Sequence, residues 1–289
     1  MKVAGFSFIR NAVKYDYPIV EAISSILPVC DVFIIAIGNS EDGTEELIKN
    51  INSDKIKIIS TVWNDQLREG GKVLADETNK AFDAIEKEYD WCFYIQGDEV
   101  MHEKYLPIVA SEMQKYVNDN EVEGLLVNYK HFYGSYDYVG VSRKWYRKEI
   151  RIIKNDKNIR SYKDAQGFRL NGRKLRVKEI NAEIFHYGWV RNPKAQQLKQ
   201  ETFHKLWHDD DWVKKNVIEA DEFDYKTVET LSLFKDTHPL YMEERLKNAK
   251  WNFNYDPTKS KKTLKEKISF LIENITGYRI GEYKNYKKI

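Results

Sequence analysis

Short runs of β-branched and aromatic residues alternate with helical periodicities through the first hundred residues, and this alternation restricts the fold more than any other feature. "VFIIAI", Val32 to Ile37, is almost continuously apolar, as a strand covered on both faces would be. Val3 to Ile9, "KIKIIST" and "WCFYI" supply three further strand-like runs. Between them lie helical spacings over Pro18 to Leu27, after "GNSEDGT", and over Gly71 to Tyr89, where Val73, Leu74, Ala81, Phe82 and Ile85 share one side. Asp42 followed by Glu45 fits a capping box opening the second of these helices. The spacing predicts an α/β fold with a mainly parallel, Rossmann-like sheet flanked by helices.

Ligands of such sheets gather where the strands end at their carboxyl side. "GNSEDGT", "WNDQLREGG" and "QGDEVMHE" leave those ends, and all three are polar. The last is the most informative, because "DWCFYI" runs directly into Asp98 and Glu99. A hard cation such as Mg²⁺ or Mn²⁺ prefers oxygen and needs few protein carboxylates, since substrate phosphates and waters complete its shell. A solvated strand end is the plain alternative; the rigid run before Asp98 favours a placed carboxylate.

After Glu103 the pattern changes. A helix is expected over Tyr105 to Tyr116, then strands in "VEGLLVNYKHFYG", "KWYRKEIRIIKN" and "AEIFHYGWV", a helix from Pro193 through Trp207, and two helices after Pro239. With no repeat and no Gly/Ser linker, residues 1–208 are expected as one α/β domain and 209–289 as a helical extension packed on it. His186 follows an apolar strand much as Asp98 does, and Arg191 or Lys194 beside it could hold a phosphate as charge-assisted donors. In "KEKISFLIENI", Ile268, Leu271, Ile272 and Ile275 form one side of an amphipathic helix. It is expected to pack over the domain, the alternative being an anionic membrane surface beside a lipid-linked acceptor.

Composition narrows the classes. The 47 Lys and Arg nearly balance the 45 Asp and Glu, which removes the electrostatic case for nucleic-acid binding. Two cysteines make neither a disulfide framework nor a metal cluster, which suits a reducing cytoplasm. The N-terminal apolar stretch reads as a first strand rather than a signal peptide. No run approaches the roughly 20 apolar residues of a spanning helix, so a soluble or membrane-peripheral protein is expected.

Taken together, "FIRNAVKYDYPIVEAISSILPVCDVFIIAIGNSEDGTEELI" and "DWCFYIQGDEV" resemble the family-two glycosyltransferases of the GT-A fold. Arg10 and Asn11 match the pair after the first strand; Ser40, Asp42, Gly43 and Thr44 match the Ser-x-Asp-Gly-Thr turn; Gln96 to Glu99 occupy the Asp-x-Asp position. The resemblance implies transfer of a sugar, with inversion, from a nucleotide-diphosphate donor to a carbohydrate or lipid-linked acceptor. It also implies Mn²⁺ or Mg²⁺ on Asp98, with His186 as a further ligand. Arg10, Asn11, Asn39, Ser40, Asp42, Trp63, Asp65, Lys72, Gln96 and Arg191 would surround the donor. A carboxylate would activate the acceptor: Asp164 is preferred over Glu183 and Glu103, with Glu99 as a second catalytic candidate. Gln96 departs from the usual first acid, and Ile37 and Gly38 stand where an aspartate usually meets the nucleoside; Asp65 and Trp63 could contribute there instead. A catalytically silent binding module of the same fold is the alternative. A sugar nucleotidyltransferase ranks lower, because "FSFIRNAVKYD" lacks a Gly-rich loop.

Overall fold

A computed structural model describes residues 1–67, 69–217, 220–225, 230–256, 264–277, 279 and 281–289. β1 (Val3–Ile9), α1 (Ile19–Ile26), β2 (Val32–Ile37), α2 (Thr44–Lys49), β3 (Ile56–Ser60), α3 (Lys72–Asp83) and β4 (Trp91–Tyr94) reproduce the expected alternation. Then come β5 (Glu99–Met101), α4 (Leu106–Tyr116), β6 (Gly124–Tyr133), β7 (Ser135–Gly140), β8 (Lys148–Lys154), β9 (Ile159–Tyr162), β10 (Gly167–Leu170), β11 (Arg173–Lys174) and β12 (Arg176–Trp189). α5 (Pro193–Lys205), α6 (Asp210–Asn216), β13 (Leu231–Leu233), α7 (Glu243–Asn248), α8 (Leu264–Thr276) and β14 (Lys287–Lys288) follow.

The main sheet runs β13-β7-β6-β8-β4-β1-β2-β3, with β12 beside β6 and carrying β5 and β14. β4, β1, β2 and β3 are mutually parallel, whereas β8 joins β4 and β6 antiparallel. The fold is therefore α/β with helices flanking the sheet, as expected, and the sheet has a parallel half and a mixed half. Every residue of β2 is buried. Phe33, Ile35 and Ile37 pack with α1 and α4 residues on one face; Val32, Ile34 and Ala36 pack with α3 residues on the other. Each buried Val, Ile or Phe among them contributes roughly 1.5–3 kcal/mol, which accounts for the unbroken apolar run.

Four expectations are corrected. Asp42 is not the cap of α2: Gly43, at φ 79°, precedes Thr44, and a side chain there would strain the left-handed backbone. The third helix stops at Asp83 rather than Tyr89, because the Asn155 amide donates to the carbonyls of Glu86 and Tyr89 at 2.8 and 2.9 Å and holds that segment as a turn. Residues 209–289 are not helical alone, since β13 pairs with β7 and β14 with β12. Finally, Ile268, Leu271 and Ile275 of α8 are 52, 59 and 75% exposed rather than packed on the domain. That helix is held through Glu273, which pairs with Arg147 and Arg279. Among the described residues, no helix is long and apolar enough to cross a membrane.

Candidate active site

The polar segments expected at the strand ends do converge on one cleft of about 710 Å³. Its decisive wall is the turn from Gln96 to Glu99, closed by a bond from the Glu99 N–H to the Gln96 carbonyl at 3.1 Å. β5 leaves this turn and pairs antiparallel with β12, placing Glu99 opposite His186. The Tyr187 N–H then donates to the Asp98 carbonyl at 2.7 Å. Strand pairing thus brings Asp98 and His186 together.

The Asp98 side chain is nearly buried and has cationic neighbours. Its Oδ2 lies 3.1 Å from Lys199 Nζ and 3.7 Å from Arg191, while Oδ1 lies 3.7 Å from His186 Nε2. Burial opposes the negative charge, but Lys199, which bonds the carboxylate, and Arg191 outweigh it and hold the carboxyl well below the usual range. Lys199 has one anionic partner and a repelling Arg191; burial and that repulsion push it down to about 8, so it remains mainly charged at neutral pH.

Hydrogen bonding determines the state of the two imidazoles. His131 Nε2 lies 2.7 Å from the Tyr146 carbonyl, so it carries a proton. Burial pushes His131 well below its ordinary value, leaving its Nδ1 bare, and His186 Nδ1–H donates to it at 3.0 Å. His186 is also pushed down, chiefly by burial, so its Nε2 presents a lone pair toward Asp98 Oδ1. Two electron-rich atoms facing each other at 3.7 Å repel unless a cation, a proton or a water hydrogen lies between them. Gly188 keeps the space beside them open: a Cβ there would lie 2.6 Å from His186 Nε2 and 3.0 Å from Asp98 Oδ2. This oxygen and nitrogen pair, with His131 orienting the imidazole from behind, could supply two ligands to a cation such as Mn²⁺, and its single carboxylate oxygen could serve Mg²⁺. Among the described residues there is no group of three or more His, Cys, Asp or Glu that could hold a metal, so substrate oxygens would have to complete the shell.

The Arg-Asn pair and the Ser-x-Asp-Gly-Thr turn form a clamp. Asn11 takes φ 54°, a conformation asparagine tolerates. Its side chain accepts from the Glu41 N–H at 3.0 Å, and its own N–H donates to Ser40 Oγ at 3.0 Å. Asp42 accepts from the Lys14 N–H at 2.7 Å, and Thr44 Oγ1 from the Ala12 N–H at 2.7 Å. Ser40 and Asp42 therefore shape the loop that carries Arg10 and Asn11, and do not themselves line the cleft. Asn39 and Lys72 do not line it either. At Gly38 the Trp63 indole and Arg10 Cβ fill the place of any side chain, so an aromatic wall stands there. The Arg10 guanidinium sits 5.5 Å over that ring and pairs with Asp65 at 3.1 Å; all three residues line the cleft. Gln96 lines it too and ties the turn to a second loop by donating to the Ala165 carbonyl at 3.2 Å. Arg191 lies behind the wall, fully buried, donating to the carbonyls of Tyr15 and Gly188 at 2.7 and 3.3 Å.

That second loop carries Asp164. Its neighbours Lys163 and Ala165 hold φ 54° and 62°, unusual for residues with side chains, and such outliers recur at functional sites. Asp164 lines the cleft, and burial raises its carboxyl above the ordinary value. Glu99, expected as a second catalytic carboxylate, does not line the cleft. It is fully buried, with both oxygens bonded by Arg151 at 2.8 and 2.9 Å, and it accepts from the Tyr129 hydroxyl at 2.7 Å. Neither Glu103, which accepts from the Leu240 N–H, nor Glu183, paired with Lys130, reaches the cleft.

Beside Arg151, burial pushes Glu149 up to about 8. The folded protein therefore holds this proton between the ordinary carboxyl pKa of 4.5 and about 8, and the associated stability is lost as pH rises through that window. Glu149→Gln keeps the polar partner of Gln166, which donates to Glu149 at 2.8 Å. It should leave the melting temperature unchanged at pH 5 and raise it at pH 8.5; equal melting at both values would exclude this proton uptake.

Lys199 and His131 were not among the sequence candidates. One signal was present: Gln196, Lys199 and Phe203 share a face of α5, and its two polar members are buried where core residues belong. His131 gave no local sign, because its role depends on β6 lying beside β12.

No protein-family model and no curated protein matches this sequence. Solved structures resemble it at low identity. S. aureus TarS is 14% identical over 70% of this chain, with a TM-score of 0.44; the chain spans 39% of that protein. TarS residues 1–349 in complex with UDP is 13% identical over 76% of this chain and 68% of that one, at 0.43. Glucosyl-3-phosphoglycerate synthase from Mycobacterium tuberculosis, in complex with Mn²⁺, UDP and phosphoglyceric acid, is 17% identical over 46% and 44%, at 0.32. The α/β fold rests on this chain's own strand order.

Proposed function

We propose that this chain is a glycosyltransferase that moves a sugar from a nucleotide-diphosphate donor to a carbohydrate or lipid-linked acceptor. The observation that carries the reading is His186 Nε2 facing Asp98 Oδ1 at 3.7 Å in the wall of the cleft, with Asp164 in the same cleft. Asp98 and His186 would hold Mn²⁺ or Mg²⁺, which when bound supplies positive charge to a departing diphosphate. Trp63 and Arg10 offer an aromatic and cationic wall to the nucleoside end. Asp164, more basic than an exposed aspartate, takes the proton from the acceptor hydroxyl. The acceptor oxygen then bonds the anomeric carbon as the bond to the diphosphate oxygen breaks, giving inversion by a single displacement. Nucleoside diphosphate and one proton are the by-products.

Thermal unfolding against a panel of nucleoside diphosphates, with and without Mn²⁺, tests the donor site. Ligand at a hundred times its dissociation constant stabilises the folded state by about 2.7 kcal/mol, so at least one nucleotide should raise the melting temperature by several degrees. Asp98→Asn should lose most of the Mn²⁺-dependent part. If no nucleoside diphosphate shifts the transition under either condition, the reading fails. Gln96, standing where an acid is usual, favours a silent binding module as the second reading. A module would show the thermal shift without turnover, whereas an enzyme should hydrolyse or transfer its donor sugar and lose transfer in Asp164→Asn.

A further inference from the structure

Two cations share the Asp98 carboxylate, and they differ in what they can reach. Arg191 is locked to the Tyr15 and Gly188 carbonyls and does not line the cleft. Lys199 does line it: its Nζ donates to Asp98 Oδ2 at 3.1 Å and to the Gly188 carbonyl at 3.3 Å, beside the Tyr17 ring at 4.9 Å. One carboxylate therefore faces two basic side chains, Lys199 at 3.1 Å and Arg191 at 3.7 Å. A divalent cation entering alone would meet net positive charge and would have to compete with an ammonium already bonded to its ligand. A diphosphate brings enough negative charge to reverse both penalties, and offers the ammonium a new partner within the same cleft.

We infer that Lys199, through its ion pair with Asp98, makes divalent-cation binding conditional on the nucleoside diphosphate and then becomes a cationic contact of that diphosphate. This rests on the nucleotide-sugar reading. Lys199 acts on cation binding as a positioning residue, by occupying Asp98, and on the donor by direct contact. The linkage is reciprocal, so the cation must improve diphosphate binding by the same factor as the diphosphate improves cation binding.

Mn²⁺ titration of the full chain, followed by electron paramagnetic resonance, reads the first half. Wild type should bind Mn²⁺ weakly alone and about tenfold or more tightly in the presence of saturating nucleoside diphosphate. Lys199→Met, unbranched and close in volume, removes the competing charge. It should bind Mn²⁺ alone about tenfold more tightly than wild type while binding nucleoside diphosphate in EDTA about tenfold more weakly. Lys199→Arg should restore the diphosphate affinity. The two opposite shifts separate this role from a structural one, which would weaken both. The inference is overturned if wild type binds Mn²⁺ equally well with and without nucleotide, or if Lys199→Met weakens both ligands. Should no nucleoside diphosphate bind at any Mn²⁺ concentration, the donor reading fails and this inference with it; Mn²⁺ tightening in Lys199→Met would then establish only the competition for Asp98.

Discussion

Arg151→Met is expected to destabilise the protein by about 3–5 kcal/mol, the usual cost of removing one partner from a buried ion pair. Arg151 and Glu99 are both fully buried. The guanidinium bonds both oxygens of Glu99 and also donates to the carbonyls of Ile150 and Gln166 at 3.0 and 2.9 Å, with the Tyr94 and Tyr129 rings each 5.2 Å away. Without it, a carboxylate is left in a dry interior with only the Tyr129 hydroxyl and the Gln96 N–H. Urea unfolding should show the loss as a lower midpoint. Adding Glu99→Gln should recover much of it, because the stranded charge is then gone. A single-variant cost under about 1 kcal/mol, the level of an exposed ion pair, would refute this assignment.

The pair matters to the site because it ties its two halves together. Glu99 holds the N–H of Gln96, which opens the turn bearing Asp98, while Arg151 holds the carbonyl of Gln166 in the loop bearing Asp164. Of two adjacent carboxylates, one therefore faces the cleft and the other fixes the frame.

Gly188→Ala is the second large effect, and it falls on function. The added methyl would lie 2.6 Å from both Cε1 and Nε2 of His186. The imidazole cannot easily yield, being anchored to His131 and buried. Overpacking of this kind costs about 1–3 kcal/mol, so the fold should survive. Displacement of the reacting geometry by about 1 Å costs on the order of a hundredfold in rate. Transfer activity should fall by about that much, and Mn²⁺ affinity in the presence of nucleotide should fall with it, with far-ultraviolet circular dichroism unchanged. An alanine variant with wild-type Mn²⁺ affinity would show that Asp98 and His186 do not share a cation.

Local pattern carried much of the fold. β1 and β2 begin and end at the residues their apolar runs indicate, because burial on both faces demands such runs and the flanking polar loops end them. The placement of Asp98 at a strand end, and of Arg10, Asn11, Trp63, Asp65, Gln96 and His186 around one cleft, was also legible, whereas Asp164 enters from the separate antiparallel β9-β10 hairpin. In parallel sheets the carboxyl ends point the same way whatever the remaining sequence does.

Tertiary structure decided the rest. Nothing within "QGDEV" says that Asp98 faces the cleft while Glu99 turns inward; Arg151, 52 residues later, decides it. Lys199 meets Asp98 across 101 residues, and His131 meets His186 across 55. Hydrophobic periodicity records which side of an element is buried, but not which distant element lies against it. The charge and proton placement of this site arise from those long-range pairings, and so only the folded chain defines them.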